Sequence, residues 1–523
     1  MILALMAVQM MWAAQITVTN TSDDVEEDGS LRWACKTATA NDTIVFKFST
    51  KGDKTIHISS YLTTNASIDG STWADSIIID GYDEENGTFG DFTGISINSG
   101  KFMNKIVVQK CRTGFVSQGV KLYDCIARYC YNGFTINGYA SNVYTRCKAL
   151  SNENNGFNTN SSSNGGVLID CDAIGNNVGI KDPSSSIGSR FYDNKIGILV
   201  ENKTCSEISD CVISGNESIG VSLDGDKAVM IKKLSNNIIG LTADQKEPYS
   251  NGYGISVHSA GSIDSVKNNV ISGNRLDGLK ISIGSDGIYN FVGNYVGTNR
   301  FFDRNPLLGN GGNGFVRDLS SAFLSTEREF SKNYFGYNAG YGVLVEESYT
   351  VDTISDCYFG ITPDGIPMPN GKGGLNVVCQ TLTLKNCHIG YNEGSGLDFK
   401  SMAGGLIVED GMIVFNKENG IIYRKNNLGP FFNVKNVVFD SNGKEAILSF
   451  LSDTPLLNGR VFSENKFLHT ANSYNAISIA IPYPVPEFTS CKITEKTIVI
   501  EGKIETAAKA KIELFYTSQG EQT

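Results

Sequence analysis

Between about residues 120 and 445 one short phrase keeps returning: a small inward-looking residue, an asparagine five positions later, then a glycine and an apolar run. Copies include DCDAIGNNVGI from Asp170, DCVISGNESIGV from Asp210, NNVISGNRLDGL from Asn268, NCHIGYNEGSGL from Asn386 and DGMIVFNKENGI from Asp410. Anchored on the small residue, the copies start at 125, 147, 171, 189, 211, 231, 269, 294, 333, 357, 387, 411 and 437, and most steps are 18 to 26 residues. Such a period is too short for a propeller blade or a helical hairpin and has no helical spacing. It suits one coil of a β-solenoid, in which each coil buries its apolar face only against its neighbours.

Five residues after the anchors stand Asn152, Asn176, Asn194, Asn216, Asn236, Asn274, Asn299, Asn338, Asn392, Asn416 and Asn442, with Cys130 and Thr362 as exceptions. Asparagine tolerates left-handed backbone angles, and its amide can bond to the same amide one rung away, so the column predicts a ladder at a tight bend. Glycines such as Gly156, Gly179, Gly197, Gly220 and Gly396 follow it and release the next strand. Six cysteines, Cys125, Cys147, Cys171, Cys211, Cys357 and Cys387, share the anchor column. Alternation points them inward, and in-register neighbours about 4.8 Å apart suit a disulfide poorly, so free buried thiols are expected. No CxxC or histidine pair at ligand spacing occurs among the 12 cysteines and 4 histidines, so no cofactor is expected. Calcium among the Asp and Asn side chains stays open, with no loop of dedicated spacing.

With 41% hydrophobic and 19% charged residues the chain can bury a large core and is not a disordered one. Its net charge of -11 sets it against nucleic acid and anionic membrane. The apolar run Ile2 to Ala14 is too short to span a bilayer and reads as a signal peptide, the alternative being a buried strand or helix. Secretion or a cell-surface location follows, with no transmembrane segment. At the other end Lys492 to Tyr516 alternates like sandwich strands and stops early, as a truncated domain would. The expected organisation is a signal peptide over 1–14, a cap and first strands over 15–75, a parallel β-helix over 76–484 and the start of a β-sandwich-like segment over 485–523.

Four stretches beyond the repeat carry a resemblance. GSLRWACKTATANDTIVF from Gly29 is similar to an N-terminal cap, with Ser30 as helix N-cap and Leu31, Ala34 and Cys35 apolar. IIGLTADQKEPYSNGYGI from Ile238, NYVGTNRFFDRNPLLGNGGNGF from Asn294 and YFGITPDGIPMPNGKGGL from Tyr358 resemble a long-turn form of the coil. Together they resemble bacterial secreted right-handed parallel β-helix proteins of the pectin-lyase-like class, which implies an all-β, single-stranded right-handed solenoid. Trp33 and Cys35 depart from that cap pattern. The resemblance also brings polysaccharide-degrading enzymes into view, but their signatures are missing: no Gly-His-Gly, no Arg-Ile-Lys, and Asp182-Pro183 runs on into Ser184 and Ser185.

Reading each strand after the bend as in-out-in-out puts Glu201, Asp224, His258, Ser282, Asp318 and Glu346 in one outward column. Asp224 and His258 should stand side by side with Lys280 one rung on. A carboxylate beside an imidazole and a lysine near a sugar acid could support β-elimination or acid-base hydrolysis, so these three are the catalytic candidates, against the plainer reading of a solvated face. Asp398, Lys400 and Arg424 form a mixed patch able to hold an anionic glycan. Tyr249 and Tyr253, with Phe301 and Phe302, sit in long turns that could wall a groove and stack on sugars. The favoured function is a non-catalytic, monomeric, exported or surface β-helix presenting a long rigid face to a polysaccharide or cell-surface glycan. The alternatives are a polysaccharide lyase or glycoside hydrolase acting on uronic-acid glycans, and a structural spacer.

Overall fold

The computed structural model describes residues 13–468 except 84–86, 160–164, 226–227, 283–286, 319–328, 426–430 and 451–459. Beyond 468 it describes the strands Ile477–Ala480, Glu487–Ile493 and Ile498–Lys503. The expected signal peptide therefore lies almost entirely outside the described residues. Two compact units divide the chain at Glu346/Glu347.

In the first unit each coil contributes one short strand to each of three parallel sheets, joined by corners. Val143–Thr145, Val167–Ile169 and Ser185–Ile187 stack in the first sheet, Lys148–Leu150, Asp172–Ile174 and Arg190–Tyr192 in the second, and Asn155–Asn158, Val178–Lys181 and Ile196–Val200 in the third. This is a parallel β-helix. Strand alternation directs one residue in two inward, and inward positions share volume between sheets. Where the second sheet offers only Ala127, Ala149 and Ala173, the third brings Phe134 and Phe157, stacked at 4.8 Å, and the first brings Tyr144 edge-on to both. Phe191 takes over in the second sheet where the first has only Ser186. Ser30 caps the helix Leu31–Thr37 by accepting from the Trp33 amide at 3.0 Å, and Leu31, Ala34 and Cys35 are buried beneath it. The second unit repeats the arrangement, with Phe359, Ile389, Ile413 and Phe439 in one inward column. Glu487–Ile493 and Ile498–Lys503 form an antiparallel pair.

The amide ladder exists, but with a different membership from the five-residue rule. In the first unit it runs through Asn152, Asn176, Asn194, Asn216, Asn251, Asn274, Asn310 and Asn338, and in the second through Asn370, Asn392, Asn416 and Asn442. Asn236 and Asn299 are not members, and Asn370 takes the place where Thr362 looked like a gap. The reason is insertion: the long turns precede the ladder asparagine instead of following it. Nor do the ladder asparagines adopt left-handed angles. Where the corner is short the residue before the ladder does, as at Ser151, Asp193, Tyr337 and Phe415, so the amide is there for its four hydrogen bonds alone. Asn176 shows them all: Oδ1 accepts from the Asn152 amide N–H and Nδ2, while Nδ2 donates to Ala149 O and Asn194 Oδ1.

The anchor column is a second, shorter ladder. Asn237, Asn269, Asn294 and Asn333 bond rung to rung, so the anchor of that coil is Asn237 and not residue 231. Cysteine fills the same position elsewhere and makes the weaker version of one bond: Cys171 Sγ donates to Tyr144 O as Asn237 Nδ2 donates to Ile208 O. All eleven cysteines with described side chains are buried and unbridged. Burial pushes Cys205, Cys211 and Cys387 up to about 12, which keeps them as neutral thiols.

The long turns of the first unit fold back over the outer face of the second sheet. Leu241 and Leu308 from the turns bury Val270 of that face, with Ile238 and Tyr295 beside them. Asn299 Nδ2 ties the second turn to the first through Gln245 O at 3.1 Å, and Phe302 packs against Tyr295 and Tyr334. Phe302 is thus an anchor of its turn, while Phe301 is 65% exposed.

Candidate functional site

At the corner between the second and third sheets the ladder amide is buried while the residues on either side of it face outward. The preceding column reads Tyr129, Ser151, Gly175, Asp193, Gly215 and the following column Tyr131, Glu153, Asn177, Lys195, Glu217. Every residue of the first column is left-handed, with φ between 51° at Ser151 and 71° at Gly175. The fold accepts a tyrosine there, but Gly175 leaves the space open and Gly215 leaves room for a ring from the first long turn. The result is a polar groove of about 620 Å³ running from Ser151 and Glu153 to Gly215 and Glu217, floored by Asn152, Asn176 and Asn194. Rungs about 4.8 Å apart give it a length of roughly 15 Å along the stack.

Tyr249, carried by the first long turn, sits beside the Gly215 end. Its hydroxyl donates to Asp193 Oδ1 at 2.6 Å and its ring lies 5.6 Å from that of Tyr192. A Cβ on Gly215 would stand 2.7 Å from the Tyr249 ring, so the glycine is what lets the ring in. Burial, then the Asp193 hydrogen bond and charge, raise the Tyr249 phenol to about 12. Arg275 fastens the turn by donating to Ser250 O at 3.0 Å and to Glu217 O. Tyr129 and Tyr131, 48% and 45% exposed, stand one coil beyond the other end. The exposed side chains of Glu153, Lys195 and Glu217 make no ion pair among the described residues, so their hydrogen-bonding capacity faces the groove. No group of three or more His, Cys, Asp or Glu among the described residues is placed to hold a metal ion.

The residues singled out from sequence fall elsewhere, except Tyr249. Asp224 and His258 do follow the paired residues Leu223 and Val257 on adjacent rungs. Their side chains do not bond to each other: Asp224 accepts from Ser259 Oγ at 3.3 Å, and His258 Nε2 lies 2.6 Å from Ser256 Oγ on its own strand. Lys280 is paired with Asp318 at 3.2 Å. Burial pulls its pKa down, but the hydrogen bond and charge of Asp318 outweigh that, and the net shift is upward, away from a neutral base. Tyr253 opens the strand Tyr253–Val257 opposite Ile219, on the sheet and not in the turn. In the second unit Arg424 grips Asp398 through two hydrogen bonds, 2.9 and 3.1 Å, and lies 5.2 Å over the Phe450 ring, while Lys400 pairs with it only through the backbone register. Glu153, Asp193, Lys195 and Glu217 were not singled out. Their signal was present, since each flanks a ladder asparagine by one residue.

Residues 294–467 match the family model of the right handed beta helix region. Solved structures to which the chain is similar include the catalytic unit of a thermostable GH87 alpha-1,3-glucanase from Streptomyces thermodiastaticus, at 11% identity over 89% of this chain and 68% of that one, TM-score 0.24. Another is tailspike protein 3 of bacteriophage CBA120, at 13% identity over 87% and 59%, TM-score 0.21. A third is the A-module of the mannuronan C-5 epimerase AlgE4 of Azotobacter vinelandii, at 12% identity over 90% and 97%, TM-score 0.19. No curated protein sequence matches the chain.

Proposed function

We propose that this protein is a non-catalytic, exported or surface β-helix that binds a glycan in the corner groove between Glu153 and Glu217. The observation that carries the reading is the groove itself: the side chains of Glu153, Lys195 and Glu217, outside any ion pair among the described residues, stand over a floor of ladder amides, with the Tyr249 ring beside the Gly215 end. Polyhydroxyl ligands use this combination, with hydroxyls on the polar groups and an apolar C–H face on the ring. Three carboxylates, Glu153, Asp193 and Glu217, against the one ammonium of Lys195 favour a neutral or amine-bearing glycan over a polyuronate. The outward trio does not favour turnover, because Lys280 is held as a cation in an ion pair with Asp318 and His258 Nε2 is engaged by Ser256 Oγ.

Calorimetric titration of the full chain with neutral, amino-sugar and uronate oligosaccharides tests this. Neutral or amino-sugar ligands should bind, and Gly175→Tyr, which places in the groove a residue that the same column carries at Tyr129, should abolish binding without unfolding the chain. Release of unsaturated or reducing ends would establish the enzyme reading instead. Binding that survives Gly175→Tyr unchanged would refute the groove.

A further inference from the structure

The second unit carries, at the equivalent corner, a feature with a different make-up. Tyr391 and Phe415 precede the ladder residues Asn392 and Asn416, and their rings stack face to face, centroids 4.9 Å apart and 9° from parallel. Phe415 is 41% exposed. Both residues are left-handed, φ 60° and 55°, a conformation that is unfavourable for bulky side chains and free of cost for glycine. The chain uses glycine at this position elsewhere, at Gly175 and Gly215 in the first unit. Two left-handed aromatics, Phe415 exposed and Tyr391 half-buried, where glycine serves the fold in other coils, point to a task outside the fold.

The surroundings define the task. Among the described residues no third ring is stacked on the pair, and the same position is Ile361 on one side and Ser441 on the other. Across the ladder, in the following column, Glu393 and Lys417 form an exposed ion pair that offers acceptor and donor beside the rings. An apolar platform edged by a balanced donor-acceptor pair matches a pyranose, whose C–H face covers the ring while its hydroxyls reach the rim.

We propose that Tyr391 and Phe415 form a second saccharide-stacking site, independent of the corner groove and sharing with that reading only the class of ligand. The test is titration of three full-length proteins, the wild type, Gly175→Tyr and Phe415→Gly, with neutral oligosaccharides, alongside their melting temperatures. Two sites should be seen in the wild type, one in each variant, with the Phe415→Gly site weakened by about tenfold or more. Its melting temperature should stay unchanged or rise, since glycine relieves the left-handed strain.

A clear fall in melting temperature with saccharide binding intact would show that the rings serve the fold, and would overturn the site. So would complete loss of binding in Gly175→Tyr, which leaves the groove reading standing, or Phe415-dependent self-association in place of sugar binding. If Phe415→Gly loses binding and Gly175→Tyr does not, the groove falls and this site remains. Absence of binding in all three proteins refutes both.

Discussion

Asn274 and Asn236 look alike in the sequence and differ completely in what they do. Asn274 accepts from Asn251 Nδ2 and donates to Asn310 Oδ1 and Ile239 O inside the stack, so Asn274→Leu orphans buried amides on both neighbouring rungs. A loss of ~1 to 3 kcal/mol in denaturant unfolding is expected. Asn236 is exposed and left-handed, φ 57°, and Asn236→Gly should leave stability within about 0.5 kcal/mol of wild type. Equal losses from the two would contradict the ladder membership given above. The five-residue spacing found the ladder wherever the corner is short. It failed at Asn299 because a turn begins there that happens to carry asparagine at the expected offset. At Tyr249 the chemistry is pH-dependent: a phenol whose folded pKa, about 12, exceeds its ordinary 10 contributes stability that is complete below pH 10 and lost as pH rises toward 12. Ultraviolet titration of Asp193→Asn should show this tyrosine shifted down but still above its ordinary value, since burial is the larger cause. A value back at the ordinary one would make Asp193 the whole cause.

The long turns were legible as insertions but not as to where they go. An apolar residue in a turn, such as Leu241 or Leu308, does not say which face it will cover. The answer depends on the outer face of the second sheet being apolar at Ile238, Val270 and Tyr295, a pattern spread over three coils. Leu308 is fully buried in that small cluster. Leu308→Ala should cost about 2 kcal/mol, the lower end for a buried leucine because the site can collapse. Hydrogen exchange should then quicken in residues 299–309 while the strands beneath keep their protection. Uniform acceleration through the coils would mean the turn belongs to the main core.

For the chain as a whole, the architecture was readable because every coil states it again: alternation, period and amide column agree, and one misplaced anchor does not alter the sum. The groove was not, because it is made of absences, Gly175 and Gly215, and of a ring delivered from the next coil. Alternation gives the side of a sheet and not the partner of a side chain, so the outward trio is legible only as outward, and Asp318 and Ser256 engage Lys280 and His258. The two readings place the ligand on different surfaces of the first unit. Hydrogen exchange of the full-length protein with and without a bound oligosaccharide separates them most directly. Protection centred on 151–153, 175–177, 193–195 and 215–217 is expected, with no product formed. Protection centred instead on 222–224, 256–258 and 280–282, with turnover of the sugar, would contradict the account.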